Sequence, residues 1–105
     1  MPHKHQLLNL LSRHVGAANG VTVANIGRQL GTLPRTVRAL VSALRDDGIA
    51  VCAHPKTGYY IAQTAAELDH TCQFLRARAL HSLALEARLR RVPLPDLIGQ
   101  LHLRT

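Results

Sequence analysis

Apolar residues between Thr22 and Gly48 form two sets that each repeat at helical spacing. The sets are Val23, Ile26 and Leu30, and then Val37, Leu40, Val41 and Leu44. Gly31 lies between them, where a helix can end in the left-handed conformation that glycine adopts without steric cost. Pro34 follows in the first turn of the second helix, where its missing N–H is not needed. The pattern predicts two helices joined by a tight turn, the second running from Pro34 to Arg45.

The predicted second helix has two chemically different faces. At about 100° per residue, its apolar residues lie on one side. The opposite side carries Arg35, Arg38, Ser42 and Arg45. A cationic, exposed helix face suits the major groove of DNA. The simpler interpretation is that this face is only solvated, but the helix–glycine–helix order and the segment that follows favour DNA.

That following segment, from Ile49 to Ala62, shows strand periodicity. Apolar residues alternate at Ile49 and Val51 and again at Tyr59 and Ile61. The intervening HPKTG contains the turn residues proline and glycine. The pattern predicts a short β-hairpin, with a basic tip placed to reach phosphate. The alternative is a hairpin that only covers the core.

Together these segments resemble the small winged helix-turn-helix domains of bacterial transcription regulators, most nearly the type at the N-terminus of the biotin-operon repressor. The resemblance covers roughly residues 6–62 and rests on LGTLPRTVRALVSALRDDGIAV followed by TGYYIA. It implies a mainly α (α+β) fold in which a recognition helix enters the DNA major groove beside a two-stranded β-wing. The glycine- and arginine-rich nucleotide loop of the repressor's ligase domain does not occur in this chain.

The chain departs from the family pattern at two positions. Gly27 stands where such families usually carry alanine, and we expect this only to loosen packing. Leu33 stands where they usually carry a serine that caps the recognition helix. Leucine cannot cap, so we expect Thr32 to take that role.

The predicted DNA-binding residues come from the recognition helix, its turn and the hairpin tip, with one addition. Thr22 is a plausible N-cap of the first of the two helices, and exposed N–H groups at a helix start favour phosphate. The full set is Thr22, Thr32, Pro34, Arg35, Thr36, Arg38, Ser42, Arg45, His54, Lys56 and Thr57.

Three further helices are predicted outside this central region. Residues 3–16 are expected to form a first helix with a leucine-rich apolar side, closed by GAANG. The sequence TAAE at 64–67 is a capping box, which opens a long helix that we extend to Arg91. At about 1.5 Å per residue this helix would be roughly 40 Å long. Residues 93–103 show helical spacing again and predict a short terminal helix.

The long helix is apolar around much of its circumference, so it needs more than one partner. One partner is its own winged domain, and the other is most simply the same helix of a second subunit. The alternative for the terminal helix is that it folds back on its own chain. We therefore divide the chain into a DNA-binding domain at 1–62 and a helical dimerisation segment at 63–105. The predicted dimerisation residues are Leu75, Ala79, Leu83, Leu97, Ile98 and Leu101.

The charge distribution agrees with this division. The chain of 105 residues has 13 Lys and Arg against 6 Asp and Glu, a formal charge of +7. Residues 1–62 hold seven of the cations and two acids, while residues 63–105 hold six cations and four acids. The excess of +5 on the proposed winged domain is what nucleic-acid binding requires.

Other classes of function find little support in the sequence. Cys52 and Cys72 have no metal-ligand spacing and no secretory signal precedes them, so we expect reduced thiols and a cytoplasmic location. No apolar run approaches the length of a membrane span. No serine lies in the context that activates a nucleophile. We expect no enzymatic activity, no cofactor, no metal and no small-molecule ligand.

The favoured hypothesis is a homodimeric, sequence-specific double-stranded DNA-binding protein, a transcription regulator of bacterial or phage origin. A second hypothesis is a winged-helix adaptor that binds protein within a replication or repair assembly. A third is a binder that recognises the shape of nucleic acid without sequence preference. The chain has only three aromatic residues for stacking on single strands, which weakens the RNA version of the third.

Overall fold

The structure is a computed structural model that describes residues 2–91 and 93–100. The elements are, in chain order, α1 (Lys4–Leu11), α2 (Val23–Leu30), α3 (Pro34–Asp46), β1 (Val51–His54), β2 (Gly58–Ile61), α4 (Ala65–Arg90) and α5 (Leu94–Gln100). One turn of 3-10 helix, Ala17–Asn19, lies between α1 and α2. The predicted fold class is confirmed: mainly α, with a two-stranded antiparallel wing, a long helix and a short terminal helix. Two compact units divide the chain, Met1–Thr71 and Cys72–Thr105.

The first unit is built around one apolar core. Helices α1, α2 and α3 each turn one apolar side inward, and the loop before α2 and strand β1 complete the cluster. Its buried members are Leu7, Leu11, Val21, Ile26, Val37, Val41, Leu44 and Val51. Burying each such side chain contributes about 1.5–3 kcal/mol. Because every α3 member of this cluster lies on one side, the core fixes the rotation of α3 about its axis.

The turn between α2 and α3 depends on two glycines. Gly31 ends α2 with φ +66°, the left-handed conformation predicted for it. A Cβ added at Gly27 would lie 2.8 Å from the Thr32 carbonyl oxygen. The Thr32 N–H donates to the Gly27 carbonyl at 2.9 Å, so this close approach is part of the turn. The expectation that Gly27 only loosens packing was therefore wrong, since alanine would push the turn open.

The predicted hairpin is confirmed, and the loop before α2 extends it. Strands β1 and β2 pair in antiparallel register, Cys52 opposite Tyr60. Single bridges join Val21 to Tyr59 and Val15 to Ile61 along the other edge of β2. The predicted first helix was too long, because α1 ends at Leu11 and residues 14–16 instead hydrogen-bond to Ile61.

The boundary between the units falls later than the sequence division after Ala62. The first turns of α4 stay with the first unit because the Glu67 carboxylate accepts three backbone N–H groups. Its Oε2 accepts from Ala17 at 2.8 Å, and its Oε1 accepts from Gln63 at 2.7 Å and Thr64 at 3.3 Å. Thr64 Oγ1 in turn accepts from the Glu67 N–H at 3.1 Å. The capping box is confirmed, and its carboxylate also fastens the start of α4 to the loop that carries Ala17.

The surface of the second unit is richer in exposed apolar side chains than that of the first. In it α4 exposes large apolar side chains on several sides, among them Phe74 at 61% and Leu89 at 87% of their full area. Ala87 and Leu97 are buried. Arg91 follows α4 with φ +56°, and α5 begins at Leu94. No helix in the described ranges is both long and apolar enough to cross a membrane.

Candidate nucleic-acid interface

Helix α3 presents two arginines to solvent near its start. Arg35 and Arg38 are exposed, and Ser42 continues the same outward face one turn later. Val37 and Val41, on the opposite side, are at most 2% exposed. Within the described ranges, neither guanidinium group takes part in an ion pair or hydrogen bond. Two unpaired positive charges therefore lie on the exposed face of α3, and the core determines the direction of that face.

Arg45 differs from these two arginines, although the helical spacing grouped it with them. Its Nε donates to the Val51 carbonyl oxygen at 2.9 Å, and its side chain is half-buried. This bond fastens the last turn of α3 to the first residue of β1. The helical spacing did not indicate this bond, because spacing within one helix does not show what packs beside its end.

The first turn of α3 lacks a side-chain cap. Leu33 occupies the N-cap position with an extended backbone, and no side chain accepts from the helix start. The expectation that Thr32 caps this helix was therefore wrong. The Leu33 carbonyl accepts the N–H groups of Thr36 and Val37 at 3.0 and 3.1 Å. The Arg35 N–H has no such partner, so the helix start points an unsatisfied donor outward.

An open groove runs along the turn beside this helix start. Residues from the end of α2 and the start of α3 line it, including Arg28, Thr32, Leu33, Pro34, Arg35 and Thr36. Arg28 is held by the Asn25 side chain, which its guanidinium contacts. Thr22 caps α2, accepting the Asn25 N–H through Oγ1 at 3.2 Å. Its hydroxyl is therefore already engaged with the protein.

The tip of the wing is exposed and only partly available for contacts. His54, Pro55 and Lys56 are exposed. His54 Nδ1 accepts the Lys56 N–H at 3.1 Å, which stiffens the turn. Thr57 Oγ1 donates to the Ala17 carbonyl at 2.7 Å, so this hydroxyl supports the base of the wing. Of the predicted tip residues, Lys56 offers an unpaired positive charge.

Close backbone packing holds the base of the wing in position. Gly58 has φ +98°, and a Cβ there would collide with the Val21 carbonyl oxygen. A Cβ at Gly20 would lie 2.7 Å from Thr57 Oγ1. The loop before α2 and the start of β2 therefore approach more closely than side chains would permit. This contact connects the position of the wing to that of the helix pair.

The two acidic groups at the end of α3 lie away from the arginines at its start. Asp46 and Asp47 are at the far end of α3, and Asp47 pairs with Lys4 at 2.7 Å. The Ala17 N–H, with help from Gln63 and Thr64, holds the pKa of Glu67 below its usual range. Glu67 thus has a structural role. The sequence indicated its bonds within the capping box but not its bond to Ala17.

The predicted dimerisation residues have unequal exposure. Leu75 is 39% exposed and Ala79 is exposed, whereas Leu83 and Ile98 are half-buried and Leu97 is 2% exposed. Leu101 lies outside the described residues. Leu68 and Leu80 of α4 are more exposed than Leu75, and so are three apolar side chains that share one side of the helix, Phe74, Leu85 and Leu89. At about 100° per residue these three lie within about 60° of one another, and we call them the Phe74 face.

Comparison with known proteins finds no family model, no curated protein and no solved structure that matches this chain. Within residues 2–91 and 93–100, no three His, Cys, Asp or Glu side chains cluster in a way that could hold a metal ion. The interface must therefore be judged on its own geometry and charge.

Proposed function

We propose that this protein is a sequence-specific double-stranded DNA-binding protein of the winged helix-turn-helix type, acting as a homodimeric transcription regulator of bacterial or phage origin. The observation that carries the proposal is the pair of free arginines on α3. Arg35 and Arg38 are exposed and unpaired, while burial of Val37 and Val41 on the other side aims them outward. The planar fork of arginine matches O6 and N7 of guanine in the major groove.

The surroundings of α3 support a nucleic-acid partner. Lys56 adds a free cation on the wing, where it suits the phosphate backbone. The start of α3 adds an unsatisfied N–H, a group that favours anions. Phosphate contacts of this kind position a protein on the duplex, and base contacts then supply specificity. Arg45 and Thr57 are left out of the proposed contacts because Arg45 Nε and Thr57 Oγ1 each donate a hydrogen bond within the protein.

The proposal of a homodimer depends on the second unit. Phe74, Leu85 and Leu89 leave 61%, 44% and 87% of their area exposed on one side of α4. Large apolar side chains that stay this exposed on one side of a helix are typical of an interface with protein. A second copy is the simplest occupant, because a two-fold dimer presents two α3 helices to half-sites one helical turn of DNA apart.

The same apolar surface also favours the second candidate function. An adaptor that binds another protein would use exposed side chains such as Phe74 and Leu89. It would not need the unpaired arginines of α3, which are costly to desolvate in a protein interface without acidic partners. We therefore place the adaptor second.

The experiment that tests the proposal is selection of bound sites from random duplex DNA. We expect an enriched inverted repeat with the full chain, and loss of enrichment with the double variant Arg35→Ala, Arg38→Ala. The double variant Arg76→Ala, Arg90→Ala is the control, since it removes the same charge from the second unit and leaves the Phe74 face unchanged. Binding without enrichment would indicate a binder without sequence preference. Absence of binding would favour the adaptor.

A further inference from the structure

Leu33 is exposed in the middle of the proposed DNA-contacting surface. Its side chain keeps 57% of its area in contact with solvent. Every other leucine between residues 2 and 62 is buried or half-buried. Single exposed leucines are common on protein surfaces, so exposure alone does not imply a function. The position of this one adds two further observations.

The first observation concerns stability. Leu33 occupies the N-cap of α3, where serine, threonine, aspartate or asparagine would stabilise the helix by accepting a backbone N–H. Leucine provides no cap here and leaves more than half of its own surface exposed. The residue thus supplies less stability than a capping residue could at this position. Such departures from local preference concentrate at functional sites.

The second observation concerns what surrounds the side chain. Leu33 lines the open groove with Arg28 and Arg35. Two cations in the same groove as an apolar side chain suit a partner that is polyanionic and carries small apolar groups between its charges. Duplex DNA has that character, because the C5-methyl of thymine projects into the major groove between the phosphate strands.

We propose that Leu33 contacts the methyl group of a thymine in each half-site and makes the protein discriminate at that base pair. This inference rests on the proposed function, since it assigns specificity to a second residue of the same surface. Leucine has no hydrogen-bonding group, so its discrimination acts through the methyl alone. Arg38 would then select guanine by hydrogen bonds, and Leu33 would select thymine by apolar contact.

The test uses deoxyuridine, which lacks the thymine methyl and keeps every hydrogen-bonding group. Affinities of the full chain are measured for its selected duplex and for duplexes in which each thymine is replaced in turn. At one thymine of each half-site we expect replacement to weaken binding about fourfold. That ratio corresponds to about 0.8 kcal/mol, the value of one buried methyl group. Replacement at the other positions should change affinity less than twofold.

The same series with Leu33→Ala decides whether Leu33 causes the effect. We expect the fourfold ratio to fall to about one, and Leu33→Ser to behave likewise while restoring a cap. Leu68→Ala is the matched control, a leucine 42% exposed on α4, and should keep the ratio. Using a ratio within each variant cancels any general change in folding or affinity.

The outcomes separate this inference from the proposed function. If Leu33→Ala keeps the full thymine-to-deoxyuridine ratio, or if the parent shows no such ratio while it binds its site, the Leu33 assignment is wrong and the proposed function stands. If the parent binds no duplex, both are wrong, and exposed Leu33 is better explained by a protein partner.

Discussion

The two units of the chain distribute their apolar side chains in different ways. In the first, each of three short helices turns one side into a common core, and the polar side is left free to carry function. In the second, α4 bears apolar residues on several sides, and Phe74 and Leu89 remain mostly exposed. A one-sided helix is complete within its own chain, whereas a many-sided helix needs further partners. The difference separates the cationic surface that we propose binds DNA from the apolar surface that we propose binds a second copy.

The largest effect should come from placing a charge on the Phe74 face. A Phe74→Asp, Leu89→Asp double variant should raise the dimer dissociation constant at least about a hundredfold, because an unpaired carboxylate would be buried in the interface. Arg76→Asp lies about 200° from Phe74 around α4 and serves as the control. Sedimentation over a concentration series measures the change. An intact chain that stays monomeric at several hundred micromolar would contradict the assignment.

A smaller effect is expected where a predicted contact residue serves the fold instead. Arg45→Ala should lower the free energy of unfolding by about 1.5 kcal/mol, because it removes the bond from Arg45 Nε to the Val51 carbonyl. Arg38→Ala, which removes an exposed arginine from the same helix, should change it by less than about 0.5 kcal/mol. Urea unfolding of both variants tests this. Equal losses would mean that the two arginines do not differ in role.

Stability at acidic pH should distinguish the structural carboxylate from the exposed ones. The pKa of Glu67 is lowered in the folded state, so the unfolded state binds its proton more tightly. The contribution of Glu67 to the free energy of unfolding is therefore present above the ordinary carboxyl pKa of 4.5. It is lost as pH falls through the lower pKa of the folded state. Glu67→Gln should melt below the parent at pH 7, and the gap should narrow below pH 4.5.

The control for this measurement is Glu86→Gln. Glu86 forms an ion pair with Arg90 within one face of α4 at 2.9 Å, and such surface pairs contribute little. Its melting temperature should stay close to that of the parent throughout. A gap for Glu67→Gln that does not change with pH would mean that the charge of this carboxylate is not what matters.

The smallest expected effect concerns the wing. Lys56→Ala should weaken binding to all duplexes about equally and reduce the slope of log affinity against log salt by roughly one, since one fewer counterion is released. Arg88→Ala, in the second unit, should leave the slope unchanged. An unchanged slope for Lys56→Ala would assign the hairpin to covering the core.

The sequence predicted what depends on local chemistry. Helical periodicity, Gly31 and Pro34 were enough for the helix pair, and proline and glycine in HPKTG were enough for the hairpin. The capping box was likewise correct. These features are set by residues close together along the chain, so the pattern contains the information.

The contacts that the sequence did not predict have a different cause, because each involves a partner outside the element whose spacing was considered. His14 and Gly16 hydrogen-bond with Ile61 instead of extending the first helix. Arg45 Nε donates to the Val51 carbonyl oxygen. Glu67 bonds to Ala17, and Gly27 is needed because the Thr32 carbonyl approaches it. No spacing rule within one element contains such contacts. The exposure of Leu33 could not be predicted either, since the side chain of an apolar residue in a turn can face the core or the solvent.

The central claim is that α3 selects a DNA sequence through Arg38, and one measurement tests it most directly. Cognate and scrambled duplexes compete for the parent and for Arg38→Ala at a fixed salt concentration, with thermal melting as the control for folding. We predict that Arg38→Ala melts as the parent does and loses its preference for the cognate duplex about tenfold or more, because a bidentate arginine–guanine pair discriminates by about 1–3 kcal/mol. If Arg38→Ala prefers the cognate duplex as strongly as the parent, α3 does not select the sequence, and the adaptor hypothesis takes first place.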